Sequence, residues 1–178
     1  MKQKIMTLID NDTEFQKIID ELIINDTVKE MKNYLQHFDT TCYTHCYLVS
    51  YYCYLICKKF HLDYVSATRA GMLHDLFLYD WRKRQPNKKG LHAFTHGKTS
   101  FINASKIFDL NNKEKDMIIK HMWPVTIQFP KSIEGFILTF VDKYCALNET
   151  FEALKLKILS IKYLKYTYLF LSTSPVKI

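Results

Sequence analysis

Apolar residues recur along most of this chain at helical rather than alternating spacing. Phe15, Ile18, Ile19, Leu22 and Ile23 make a stripe of period 3.6 and predict a helix over 13–24. Asp26 or Thr27 can cap a second helix that runs to about His37. A long helix follows from about Thr41 to Lys59. After the break at His61–Asp63, Asp63 caps another from about Tyr64 to Tyr79. The stretch RKRQPNKKG (82–90) is the clearest loop, with its Pro, Asn and Gly. Beyond it the pattern predicts helices over 98–108, from an Asn cap in LNNKEKD to about Met122, from Ser132 to about Leu147, and from about Glu149 to Phe170. The expected fold is therefore all-α, a bundle of seven or eight helices.

Composition agrees. Gly and Pro number only 4 each, so few turns are encoded. A chain of 178 residues with 48% hydrophobic content fills one domain and little more. We divide it into N-terminal helices (1–37), a core (38–147) and a C-terminal helix with its tail (148–178), all in one compact unit. No repeat or low-complexity segment interrupts it.

The formal charge of +7 suits an anionic small molecule. No helix-turn-helix, RNA-binding sheet or finger spacing accompanies it, so a nucleic acid polymer is not expected. The N-terminal apolar run is too short for a signal peptide. Five Cys, an odd number, occur without a CxxC pair, which points to a reducing compartment, and the expected location is cytoplasmic. Residues 40–57 contain no Asp, Glu, Lys or Arg, and we take them as a buried helix rather than a membrane span. On that helix Cys42, Cys46, Cys53 and Cys57 share one stripe. Spread over four turns, they cannot converge on one ion, so they are packing residues.

The stretch AGMLHDLFLYDW (70–81) raises the chemical question. It reads as helix interior, yet His74 and Asp75 sit in its middle, and burying an imidazole beside a carboxylate needs compensation. Similar residues lie in His45 (CYTHCYLV), His96 (FTHGK), His121 (IIKHMW) and Asp142 (TFVDKYC). Each lies on or at the edge of a different predicted helix, one helix and one connection from the next. A bundle can aim one such side chain per helix at a common centre. Four imidazoles and two carboxylates make a mixed N and O donor set. It suits two divalent transition-metal ions, Fe or Mn first, then Co, Ni or Zn. One ion would use His45, His74, Asp75 and Asp142, and the other Asp75, His96 and His121, with Asp75 bridging. Single histidines without such company, His37, His61 and His92, are taken as structural. His121 as a helix-end cation and Asp142 as a surface partner of Lys143 or Lys120 are the ordinary alternatives.

His45, His74–Asp75, His96, His121 and Asp142, in that order, resemble the ligand signature of the two-metal HD-domain phosphohydrolases, over roughly residues 38–147. THGKTSFINA (95–104) with IIKHMW (118–123) is similar to the bacterial members that cleave diadenosine tetraphosphate symmetrically. The second Gly-Tyr-Pro motif of the branch acting on cyclic-di-GMP is absent. The resemblance implies hydrolysis of a nucleotide phosphoester or phosphoanhydride, first a dinucleoside polyphosphate, by a hydroxide bridging two cations. Nucleoside monophosphates and cyclic nucleotides are rival substrates.

Beside the metals, Lys98, placed at a helix start, and Arg82 are expected to hold phosphate, with Lys83 and Arg84 as neighbours of the same kind. Asp80 is expected as a ligand contact or outer base. Trp81 and Trp123 are packing residues that can also stack a base. Leu156, Leu159, Tyr163, Tyr166 and Phe170 recur at helical spacing and suit a homodimer contact; no membrane partner is expected. Two other functions fit the same set: a di-iron oxygenase of this fold, and a non-catalytic nucleotide-binding module.

Overall fold

The computed structural model describes residues 2–83 and 90–173. Among these the chain forms eight α-helices, one 3-10 turn and one two-stranded ribbon. They are α1 (Lys2–Asp10), α2 (Thr13–Ile23), α3 (Asp26–Lys29), β1 (Leu35–His37), β2 (Thr40–Thr41), α4 (Cys42–Lys59), α5 (Tyr64–Leu73), α6 (His92–Ser105), α7 (Asn112–Lys120) and α8 (Ile133–Thr173). The all-α class holds.

Helix starts follow the local chemistry. The side chains of Asp12, Asn25, Thr41, Asp63 and Asn111 each accept a backbone N–H in the first turn of the helix that follows. Asn111 and Glu114 complete a reciprocal capping box. The Ser132 hydroxyl accepts from the Gly135 N–H at 3.1 Å and opens α8.

The helix α4, uncharged as far as Cys57, is the centre of the bundle. It packs on α5 and α8 and against the ribbon. Its tyrosine side, which lies opposite the cysteines, is covered by α2: the Phe15 ring sits 5.7, 5.0 and 5.5 Å from Tyr47, Tyr51 and Tyr54. Phe15, Ile19 and Leu22 are fully buried there, each contributing about 1.5–3 kcal/mol by leaving water. All five cysteines are buried free thiols. On α5, a Cβ at Gly71 would lie 2.7 Å from Ser50 Cα, so α4 and α5 touch backbone to backbone. That contact sets the depth at which α5 delivers its C-terminus. No helix among the described residues is long and apolar enough to cross a membrane.

Four elements differ from the sequence pattern. The helix expected up to His37 is instead α3, a 3-10 turn (Glu30–Asn33) and β1, whose partner β2 is reached through Phe38 at φ 48°. The Cys42 N–H donates to Tyr34 O at 2.8 Å and ties this segment to α4. The helix α5 stops at Leu73, not Tyr79. No Pro or Gly stops it. The freed carbonyls find distant partners instead, Asp75 O from Cys42 Sγ at 3.1 Å and Leu76 O from Asn103 Nδ2 at 2.8 Å. The helix α6 begins at His92, after Gly90 at φ 88°, rather than at Lys98. Finally, the expected break between Leu147 and Glu149 does not occur, and α8 runs on for 41 residues. Leu147, Phe151, Leu154, Leu156, Ile158, Leu159, Ile161 and Tyr163 are exposed along it. The side chains of Tyr166 and Phe170, assigned to a dimer contact, lie outside the described residues, as does Arg84.

Candidate metal centre

Six side chains converge between α4, α5, α6, α7 and α8, and all six are buried: His45, His74, Asp75, His96, His121 and Asp142. His45 comes from the first turn of α4. His74 is the residue that ends α5, and Asp75 follows it in the turn, so the pair stands at a helix end and not in a helix interior. His96 lies in α6, His121 ends α7 and Asp142 lies in α8.

These six donors fall into two groups that share one carboxylate, and a third group, His37, His45 and Glu149, adjoins the first through His45. In the first, His45 Nε2 is 3.0 Å and His74 Nε2 3.6 Å from Asp142 Oδ1, and His74 Nε2 is 3.3 Å from Asp75 Oδ2. In the second, His96 Nε2 and His121 Nε2 are 2.8 Å apart, and lie 3.2 and 3.5 Å from Asp75 Oδ1. Asp75 thus turns one oxygen to each group. Ligands on one cation, with bonds of about 2.0–2.2 Å set near right or tetrahedral angles, lie about 2.9–3.5 Å from one another. The observed spacings sit in and around that range.

The ring nitrogens are sorted by their partners. His74 Nδ1 lies 2.8 Å from Gly71 O, His96 Nδ1 2.8 Å from His92 O, and His121 Nδ1 2.8 Å from Ile118 O. A carbonyl oxygen only accepts, so each Nδ1 carries its proton and each Nε2 is left facing the centre. Nε2 of His74 and Oδ1 of Asp75 are buried without a hydrogen bond. Buried donor atoms pointed at one another are costly, and a cation would remove that cost. These residues therefore can hold metal ions.

The carboxylates draw positive charge into the centre. Burial opposes a charge on His45, but its bonds to Asp142 and Glu149 outweigh that and push it up to about 10. Burial likewise opposes ionisation of Asp75 and Asp142, yet the adjacent imidazoles hold both well below the ordinary carboxylate range. His121 is driven the other way, down to about 3, by burial and by His96 and His74. It is a neutral donor and not a helix-end cation. Asp142 is buried and not a surface residue, although Lys143 Nζ pairs with it at 3.8 Å; Lys143 also donates to His121 O at 2.9 Å, clamping the end of α7 to α8.

Close approach of α6 and α7 depends on Gly97. A Cβ there would lie 2.8 Å from Ile119 O and 2.9 Å from Ile118 O, the same carbonyl that fixes His121. The sequence pattern passed over three contributors. Gln36 Nε2 donates to Asp75 Oδ2 at 2.5 Å. Glu149 Oε2 accepts from His45 Nδ1 at 3.1 Å. His37, taken as a helix-end residue, packs edge-on to the His45 ring at 5.3 Å. A signal existed for Glu149 alone, since it follows Asp142 at i+7 on one helix face.

The expected phosphate contacts are placed differently. Lys98 is exposed in the second turn of α6, about 200° around the helix from His96, and so neither at a free helix N-terminus nor on the face of the cluster. Arg82 Nε is 3.2 Å from Asp80 Oδ1 and its side chain is 43% exposed; Lys83 Nζ is 3.6 Å from Asp80 Oδ2. Asp80 thus serves the two cations of its own loop. Trp81 stacks on His92 at 5.5 Å and His92 on His96 at 4.4 Å, an aromatic column that leads from the surface to the second group. Trp123 packs against Phe136 of α8. Compared with family models, with curated proteins and with solved structures, the chain matches none.

Proposed function

We propose that this chain is a metal-dependent phosphohydrolase of the HD-domain type that cleaves a nucleotide phosphoester or phosphoanhydride, a dinucleoside polyphosphate first. The observation that carries this reading is the split of Asp75 between two donor groups, Oδ2 toward His74 and Oδ1 toward His96 and His121. In it, His45, His74, Asp75 and Asp142 hold one divalent cation, and Asp75, His96 and His121 hold the other. Bound there, two such ions would acidify a water into a nucleophile and neutralise charge on a phosphoryl group.

The chain's own groups do the rest. Carbonyls of Gly71, His92 and Ile118 keep three imidazoles in the donor tautomer, and Gln36 fixes the rotation of Asp75. Arg82, steadied by Asp80, is the cation we assign to a distal phosphate, since a guanidinium can take two phosphate oxygens at once. Trp81, 38% exposed and stacked on His92, offers a ring for a nucleobase. The net charge of +7 favours a polyanionic substrate.

The test is a nucleotide panel with Mn- or Fe-loaded protein, reading nucleotide products and phosphate, with Asp75→Ala as the control. Turnover that is lost in the variant and proceeds without O2 consumption supports the proposal. Consumption of O2 with oxidation of an organic substrate replaces it with a di-iron oxygenase. A nucleotide that raises the melting temperature and is never consumed replaces it with a binding module.

A further inference from the structure

Each of the four histidines sends Nδ1 to an oxygen and Nε2 to the cluster, but His45 alone does so through a carboxylate. His74, His96 and His121 use a carbonyl three or four residues back in their own segment. His45 reaches Glu149, 104 residues away, at 3.1 Å. Asp142 and Glu149 stand at i and i+7 on α8, on one helix face about 10 Å apart along the axis. Between them they take both nitrogens of a single ring, at 3.0 and 3.1 Å. This grip exists only because α8 continues through Asn148. The Glu149 side chain is 8% exposed, and its Oε1 is buried without a hydrogen bond. A residue placed only for stability would be better served at that point by a group with no unpaired buried oxygen.

From this geometry we infer that Glu149 is a positioning residue for the metal centre, an inference that rests on the metal-binding reading above. With a cation at Nε2 it would keep the His45 proton on Nδ1, and its negative charge would make Nε2 a stronger donor. A backbone carbonyl would set the tautomer without adding the charge. Glu149 therefore tunes the first subsite, that of His45, His74 and Asp142, and leaves the His96–His121 subsite alone.

The experiment is a chelator-competition titration of Mn(II) and Co(II) into full-length wild type, Glu149→Gln and Glu149→Ala, with Co(II) visible absorption reporting the ligand field. The expected result is two ions in wild type. In Glu149→Ala one affinity falls 10–100-fold while the other is unchanged. Glu149→Gln, which keeps the shape and an acceptor oxygen, shows a smaller loss at the same subsite. It decides the matter if Glu149→Ala does not fold. Two ions bound with unchanged affinities and an unchanged Co(II) spectrum in the variants overturn this inference alone. A wild type that takes up neither metal overturns the metal-dependent reading, and this inference with it.

Discussion

His96 Nε2 and His121 Nε2 lie 2.8 Å apart while both rings donate their Nδ1 protons to backbone carbonyls. Two imidazole lone pairs therefore face each other inside the protein. A shared cation resolves this contact, and a direct hydrogen bond does not while both protons stay on Nδ1. His121→Ala is accordingly expected to lower the transition-metal content from about two ions per chain to about one. Elemental analysis of protein purified without chelator checks this. One ion in both proteins would make His121 structural.

Gly97→Ala is expected to act on the same subsite without touching a ligand. The new methyl group would meet Ile118 O and Ile119 O at under 3 Å, and backbone cannot swing aside as a side chain can. Separating α6 from α7 should cost about 1–3 kcal/mol and lower the metal content by one ion. Thermal denaturation and elemental analysis on the same sample test both halves. A variant with wild-type stability and two ions would show that the helices yield more readily than their contact implies.

Metal removal should destabilise the fold. Asp75, Asp142 and Glu149 bring three carboxylates into one buried cluster, with Lys143 at 3.8 Å from one of them. A cation that binds only the folded chain stabilises it by about 2.7 kcal/mol at a hundredfold excess over its Kd. The melting temperature should therefore fall by several degrees in EDTA and return when Mn is added. An unchanged melting curve would count against tight binding at these residues.

Acid should loosen the opposite end of the bundle. Lys113 Nζ lies 2.9 Å from Glu134 Oε1 and 3.1 Å from Asp63 Oδ2, joining the starts of α5, α7 and α8. Burial works against both carboxylates, yet the Lys113 ammonium and backbone N–H groups hold their pKa values below the ordinary range. The folded chain thus binds fewer protons here than the unfolded one. The stabilisation is complete above about pH 5 and is lost as pH falls through and below about 4. Urea midpoints at pH 7 and pH 3.5 should differ less in Glu134→Gln than in wild type. An equal difference would place the acid sensitivity elsewhere.

Trp81→Ala probes the nucleobase end of the proposal. Trp81 is partly exposed and its ring lies 5.5 Å from His92, itself stacked on His96. Loss of a stacking surface worth about 1–3 kcal/mol should raise KM for a nucleotide roughly 5- to 150-fold. Inorganic polyphosphate or a small phosphate ester should be affected far less. Equal losses on both substrates would show that Trp81 serves the fold and not the base.

Sequence alone determined the fold class and which six polar side chains meet in the core. Periodicity of 3.6, the caps at Asp63 and Asn111, and the scarcity of Gly and Pro are local properties, and each needs only its own neighbours to act. The cap of α3 is Asn25 and not the expected Asp26 or Thr27. His45, His74, Asp75, His96, His121 and Asp142 were legible for a related reason. Polar groups on apolar helical stripes have no place in a core unless they meet one another. Tertiary structure decided where helices end and which second layer supports the donors. The helix α5 stops at Leu73, and just beyond it the carbonyls of Asp75 and Leu76 receive hydrogen bonds from Cys42 and Asn103, neither of which lies near them in sequence. The helix α8 continues through Asn148, although its local polar run resembles a boundary. Gln36 and Glu149 joined the centre through contacts spanning 39 and 104 residues. A single hydrogen bond to a distant partner has no periodicity and no local propensity, so only the packed chain displays it.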